Sequence, residues 1–340
     1  MKHRKLNILF RTSGGRADGK QLGLGHVYRC LNLANQLKSN KIFFLLEDYG
    51  GAEKIFLQNG FKNIYKLKPN TTVRSDIKNL ISLIHNKDID ILIVDKYNLS
   101  ISYLKKLKNH TKIVVISDLR KIDYPADLII NGFIGFKNKI TRNKYGAMCL
   151  LGPSFQILSK NFMKNIVRKK KNYDLIATFG GYDENNIIEI LLKELLKLNH
   201  KIKTKVILGP ATIKSKKISM LEKKIGKTLM IKKNTKNMHD EIDNAKYGIC
   251  SGGITTYEFA ALKVPFAIVC QVKHQIETAR EWEKRKIAWN LGLANNKVHK
   301  KINYFLHSIS EEKLSLNLKH KSIVDGLGAK RVFEQILKLK

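Results

Sequence analysis

Short apolar runs alternate with amphipathic segments along the whole chain. Residues 7–11 and 42–46 read as strands, and 27–37 carries apolar residues at helical spacing. Residues 76–84 repeat the helical pattern. Residues 90–95 and 112–118 are continuous apolar runs that end in an acid. A strand buried on both faces looks like this, so the sheet is expected to be parallel. The pattern restarts after 168–172. Residues 173–179, 204–208, 228–231, 247–250 and 266–270 read as strands, and 184–198, 238–244, 255–262 and 275–285 as helices. Strands alternating with helices predict an α/β fold. Two such halves are expected: a first domain over 1–152, a hinge over 153–172, a second domain over 173–328, and a last helical segment over 329–340. Doubly wound domains bind ligands at the carboxyl ends of their strands. Two domains facing an interdomain cleft would therefore carry their chemistry on strand-to-helix loops.

Length and composition agree with this picture. A chain of 340 residues suits two domains, and 43% hydrophobic residues can build real cores. Only 5 Pro and 22 Gly exclude a collagen-like or linker-like chain. Cys30, Cys149, Cys250 and Cys270 contain no C-x-x-C spacing, which argues against a zinc ribbon, a redox dithiol and a secreted disulfide scaffold. The basic start of the chain has an apolar run of only three residues, so no signal peptide is expected. No stretch of about 18 apolar residues occurs. The expectation is a soluble, cytoplasmic, monomeric protein.

The formal charge of +36 raises nucleic-acid binding as a question. The excess is mostly lysine, scattered on helix faces beside Ile and Asn. The densest run is Arg168-Lys169-Lys170-Lys171. No RNP pattern, zinc finger or helix-turn-helix signature occurs, so nucleic acid is not an expected obligatory partner. A basic surface also suits anionic small molecules or peripheral contact with an anionic membrane.

Two glycine-rich regions carry the candidate chemistry. In the first, the strand is expected to end at Arg11, a polar, glycine-rich loop follows, and Gly23-Leu24-Gly25-His26 then opens a helix. A dinucleotide fingerprint would need glycine where Tyr28 stands, although Glu47 or Asp48 could serve as its ribose acid. No P-loop G-K-[ST] occurs. What remains is a histidine in a first helical turn. The positive helix end favours the neutral imidazole, which can act as a general base. The second region combines Gly180-Gly181 with Ser251-Gly252-Gly253, each pair after a strand and before a helix. Backbone N–H groups there can hold an anion, and glycine lets a diphosphate approach closely. Asp183 is a candidate helix cap. Thr255 and Thr256 can add hydroxyls, and Glu258 can accept hydrogen bonds from a ribose diol. The loop Gln271-Val272-Lys273-His274-Gln275, at another strand end, can touch a sugar or phosphate. Together these features point to a nucleotide diphosphate.

Several stretches resemble the PseG/SpsG proteins of nonulosonic-acid biosynthesis. They are the Phe-Arg-Thr at 10–12, Gly23 to Ala34, Val94-Asp95-Lys96-Tyr97, 151–158, 178–183 and 251–258. The match runs in order from about residue 7 to 292, and its Gly-Gly…Glu part is shared with MurG-type glycosyltransferases. The resemblance implies a GT-B fold, two Rossmann-like domains, and hydrolysis of UDP-2,4-diacetamido-2,4,6-trideoxy-β-L-altropyranose without a metal or other cofactor. It makes His26 the catalytic base and Glu258 the ribose ligand. The amides near Gly252 and Gly253 would hold the diphosphate. Arg11, Gly23, Gly25, Asp95, Tyr97, Gly180, Gly181, Ser251, Thr255, His274 and Gln275 complete the expected substrate contacts, with Lys273 a candidate cation. The chain departs from the family in a longer segment between Arg11 and Gly23, in His274 where Asn is usual, and in Lys96 where His or Ser is usual. A UDP-sugar glycosyltransferase using the same base, and a polyanion-binding protein, are the alternatives.

Overall fold

A computed structural model describes residues 4–17, 20–163, 171–198, 201–235, 237–314 and 323–339. Arg168, Lys169 and Lys170 lie outside the described residues. The chain divides into two compact units, Met1–Lys160 with Leu327–Lys340, and Asn161–Gly326. No helix among the described residues is long and apolar enough to cross a membrane.

The first unit holds β1 (Asn7–Ala17), β2 (Lys20–Leu22), α1 (Gly25–Gln36), β3 (Lys41–Tyr49), α2 (Ala52–Gln58), β4 (Ile64–Leu67), α3 (Val73–Asn86), β5 (Ile91–Asp95), α4 (Ile101–Leu107), β6 (Lys112–Ile116), β7 (Leu128–Asn131), β8 (Lys139–Arg142) and β9 (Met148–Leu151). Its sheet runs β4-β3-β1-β5-β6-β7-β9-β8, with β2 paired to β1. All pairings are parallel except β1–β2 and β8–β9. Strand order grows outward from β1 to β4, then reverses at β5. That reversal makes the β1/β5 junction a switch point, where ligands of such sheets bind.

Both faces of this sheet are buried, as the continuous apolar runs predict. Ile91 and Ile93 of β5 pack with Val27 and Leu31 of α1, whereas Leu92 and Val94 pack with Ile77 and Leu80 of α3 and Leu104 of α4. Alternate residues of one strand thus feed two separate cores. The segment α11 (Gly328–Ile336) brings Ala329, Val332 and Ile336 into the α1 core, so this late segment belongs to the first unit.

One expectation is corrected here. The polar stretch after Arg11 is not a loop: β1 continues to Ala17 and forms an antiparallel ribbon with β2, Gly15 opposite Leu22. Backbone pairing with β3, up to Gly15 opposite Tyr49, holds this extension where apolar patterning gives no signal. Its glycines have steric reasons. A Cβ on Gly14 would lie 2.5 Å from Val27 Cγ2, and Gly15 has φ of +111° with Gly50 O 2.5 Å from its missing Cβ.

The second unit holds β10 (Tyr173–Thr178), α5 (Ile187–Lys197), β11 (Thr204–Leu208), α6 (Lys216–Ile225), β12 (Leu229–Lys233), α7 (Met238–Asp243), β13 (Ala245–Ser251), α8 (Thr255–Ala261), β14 (Phe266–Cys270), α9 (Gln275–Lys284), β15 (Ala288–Leu293) and α10 (Val298–Ser310). Its sheet is wholly parallel, in the order β12-β11-β10-β13-β14-β15. The order again reverses after its first strand, so the switch point is the β10/β13 junction. Leu175 and Ala177 pack with α5, α6 and α10. Phe259 stacks on Phe266, which Trp282 meets edge-on, in a second cluster that joins α8, β14 and α9.

Candidate functional site

In the first unit the site begins at β5. Asp95 has the parity of Ile91 and Ile93, so its side chain faces α1. Helix α1 starts at Gly25, which puts His26 in its first turn and Arg29 three residues on, on the same side. His26 Nδ1 lies 2.5 Å from Asp95 Oδ1. Arg29 donates to both Asp95 oxygens, from Nε at 2.8 Å and Nη2 at 2.7 Å, and to Asp118 Oδ1 from Nη1 at 2.5 Å. Burial alone would raise the Asp95 carboxyl, but the Arg29 guanidinium and His26 outweigh it and hold the group well below the usual carboxylate range. A permanent carboxylate at Nδ1 makes that nitrogen the donor. It leaves the lone pair on Nε2. The Tyr97 ring meets the imidazole edge-on, with centroids 4.4 Å apart, and is 40% exposed. Gly23 and Gly25 have no atom within 4 Å of a would-be Cβ, so the fold does not require glycine there.

Two expected substrate contacts are corrected by this geometry. Asp95 is fully buried and bonds His26 and Arg29, so it orients the imidazole instead of meeting a ligand. Arg11 shares the parity of Leu9 and points to the opposite face of the sheet, toward α3. There it is fully buried, donating to Asp76 at 2.8 and 2.9 Å, to Glu47 at 2.9 Å and to the Thr12 carbonyl at 2.6 Å. Lys96 joins the same cluster, with Nζ 2.8 Å from Asp76. The chain's departure at this position therefore has a structural partner. Glu47 also accepts from Tyr49, and Asp48 accepts from the amides at the start of α2, so neither serves as a ribose acid. Asp76→Asn leaves Arg11 and Lys96 short of a carboxylate. It is expected to destabilise the first unit by about 3–5 kcal/mol, read by urea unfolding.

Arg29 and Asp118 join the site in addition to the residues expected from the sequence. Both left a signal: Arg29 lies three residues after His26, and Asp118 ends the apolar run 112–118 just as Asp95 ends 90–95.

In the second unit the glycine loops converge at the β10/β13 switch point. Gly180, with φ of +77°, has Ser251 Oγ 3.5 Å from its missing Cβ. Two glutamines clasp these loops. Gln271 Nε2 donates to the carbonyls of Phe179 at 2.8 Å and Tyr182 at 3.2 Å, and its Oε1 accepts from Glu184 N at 2.8 Å. Gln275 Oε1 accepts from Gly252 N at 3.2 Å and Gln271 N at 2.9 Å. The strand ends of β10, β13 and β14 are thereby tied by two carboxamides. Gln271→Leu leaves the Phe179 and Tyr182 carbonyls without this donor and is expected to cost about 1–3 kcal/mol in urea unfolding of the second unit.

The clasp revises the expected diphosphate contacts. The Gly252 amide is engaged by Gln275, and the Gly253 amide by the Ser251 carbonyl at 2.8 Å. Gln275 acts as a loop tie. Thr256 is fully buried, donating to Gly253 O and accepting from Trp282 Nε1, so its hydroxyl is not offered outward. Asp183 caps α5 through the amides of Ile187 and Ile188. Glu258 is half-buried one turn into α8, and burial pushes its carboxyl up to about 7 against a hydrogen bond from Thr255. Gly181 accepts from the Ala211 amide at 3.0 Å through its carbonyl. Lys273 and His274 are exposed at the start of α9. Among the described residues no group of three or more His, Cys, Asp or Glu side chains could hold a metal ion.

Comparison with known proteins follows the same lines. No family model matches the chain. An uncharacterized protein of Methanocaldococcus jannaschii is 28% identical over 287 residues, 79% of this chain and 57% of that protein, so the chain spans little more than half of that relative. The spore coat polysaccharide biosynthesis protein SpsG of Bacillus subtilis is 27% identical over 92% of this chain and 94% of its own length. The UDP-2,4-diacetamido-2,4,6-trideoxy-beta-L-altropyranose hydrolase of Campylobacter jejuni is 24% identical over 83% and 97%. Among solved structures, MurG of Acinetobacter baumannii superposes with a TM-score of 0.65 over 98% of this chain and 99% of its own at 12% identity. The UDP complex of MnaA from S. aureus does so with 0.64, over 98% of each chain, also at 12% identity. The structures establish the fold, which is GT-B with two Rossmann-like domains. With two relatives covered almost end to end and the motifs around His26 and Glu258 in place, the chain is related to the PseG/SpsG proteins.

Proposed function

We propose that this protein is a UDP-sugar hydrolase of surface-polysaccharide or nonulosonic-acid biosynthesis, with His26 as general base. The observation that carries the reading is the buried Asp95 carboxylate on His26 Nδ1, at the switch point of the first unit. It fixes the tautomer a base needs and stabilises the imidazolium that forms. The Campylobacter relative, whose name is that of such a hydrolase, supports the substrate class. In this mechanism the second unit holds UDP, with Glu258 on the ribose diol. His26 Nε2 takes a proton from water as the oxygen attacks the anomeric carbon. The bond from that carbon to the phosphate oxygen breaks, and its electron pair leaves with UDP. The imidazolium then returns its proton to solvent. Tyr97 packs beside the reacting face of the imidazole. The reading needs no metal, so EDTA is expected to leave turnover unchanged.

The same base would serve a transferase by activating an acceptor hydroxyl, and the fold shared with MurG favours that second reading. UDP release from UDP-2,4-diacetamido-2,4,6-trideoxyhexoses without acceptor separates the two. Equal amounts of UDP and free reducing sugar support the hydrolase. UDP binding without release supports the transferase, and absence of UDP binding overturns both.

A further inference from the structure

The lysine excess is not evenly spread over the second unit. Residues 213–233 contain eight lysines and a single acid, Glu222. Helix α6 turns Ile218 and Ile225 into the core and leaves Lys216, Lys217, Met220, Lys223 and Lys224 exposed, a stripe at helical spacing that Lys227 extends. Beside it runs β12, the edge strand of the sheet, with Lys232 and Lys233 exposed. Lysine on an edge strand guards against sheet-to-sheet pairing. That does not explain the apolar side chains set among these lysines: Ile213 is 72% exposed, Met220 59% and Met230 48%. Lys214 pairs with Glu222, and Lys217 lies 4.0 Å from Glu189 of α5. Lys216, Lys223, Lys224 and Lys227 have no acidic partner among the described residues.

We infer that the α6–β12 edge of the second unit is a docking surface for an anionic lipid bilayer. The chemistry selects this occupant. Exposed apolar side chains bracketed by lysines match an interface where methyl groups enter the acyl boundary and ammonium groups stay with the headgroups. Nucleic-acid recognition draws on arginine forks and aromatic stacking, and residues 213–233 contain no arginine and no aromatic residue. A lysine near an anionic leaflet strengthens partitioning about five-fold, and salt weakens it. The inference is independent of the reaction proposed above.

Flotation of the full-length protein with vesicles tests it. Vesicles of phosphatidylcholine with about one-third phosphatidylglycerol are expected to carry the protein at low salt and release it at high salt; phosphatidylcholine alone should not carry it. The variant K216Q/K217Q/K223Q/K224Q is expected to bind at least fifty-fold more weakly, following the five-fold gain per lysine. M220Q should weaken binding several-fold without changing its salt dependence. The control K54Q/K62Q/K105Q/K106Q removes equal charge from exposed positions of the first unit and should bind as the parent does. Equal losses in both quadruple variants would show that net charge alone acts, and would overturn the inference. So would failure to float with the anionic vesicles. Preferential capture of single-stranded RNA by the α6 lysines, with vesicles unable to compete, would assign the surface to nucleic acid and overturn it as well.

Discussion

His26→Ala is expected to lower the rate of UDP release by about 10²–10⁴-fold, the range for loss of a general base, and to leave UDP affinity unchanged by calorimetry. Asp95→Asn is expected to fall nearly as far. An asparagine amide offers Nδ1 a donor or a neutral acceptor where a carboxylate now fixes the tautomer, and loss of such a carboxylate elsewhere costs about 10⁴-fold. Because the two residues act as one unit, the double variant should lose little more than the worse single one. Arg29 retains Asp118 in Asp95→Asn, which limits the disturbance of the fold. Turnover near that of the parent in His26→Ala would remove the histidine from the chemistry; a purely additive double variant would separate Asp95 from it.

Glu258→Gln should move stability and binding in opposite directions. The carboxyl titrates at about 7 in the folded chain because burial disfavours its charge, against an ordinary value of 4.5. Between those values the folded protein holds a proton that the unfolded chain has released. Stability therefore falls as pH rises from about 4.5 through 7 and is level above that. At pH 8 the ionised, half-buried group costs at most about 3 kcal/mol. Glu258→Gln removes that cost, so the variant should be the more stable at pH 8 and nearly equal to the parent at pH 4, by urea unfolding at each pH. In the proposed role the carboxylate accepts from the ribose diol, so UDP affinity at pH 8 should drop about ten- to a hundred-fold. The parent's affinity should rise from pH 6 to 8 relative to the variant. The terminal phosphate of UDP titrates nearby, but it does so for both proteins and cancels in the ratio. Equal affinities at pH 8 would take Glu258 off the nucleotide.

Much of the architecture is legible in the sequence because it depends on alternation. The runs at 90–95 and 112–118 have no polar face, and both became central strands flanked by helices. Parity also tells where their side chains go. Asp95 follows Ile91 and Ile93 toward α1, and Arg11 follows Leu9 toward α3, so the burial of Arg11 could have been read by counting in twos. Short strands such as β7, β8 and β9 have four residues each, too few for a period to show. The extension of β1 through Thr12-Ser13-Gly14-Gly15 is specified by a backbone neighbour far along the chain, not by its own side chains. The glutamine clasp is equally hidden. Gln271 reaches carbonyls some ninety residues away, and nothing local at 271–275 marks it. His26 and Glu258 stood out because a helix start and a glycine pair are local signals. Arg29 and Asp118 act through distance in the fold.

The placement of α11 sets the order in which the molecule can be completed during synthesis. Residues 161–326 form their unit from one unbroken stretch, so that unit can close as soon as its own last strand and helix have emerged from the ribosome. The first unit cannot. Its α1 core lacks Ala329, Val332 and Ile336 until the chain beyond 326 is made, although its sheet is encoded first. The half that carries His26 therefore matures after the half that carries Glu258, reversing their order in the sequence. A chain ending at residue 326 and released from the ribosome would hold a complete glycine-loop unit and a His26 unit with an apolar face still uncovered.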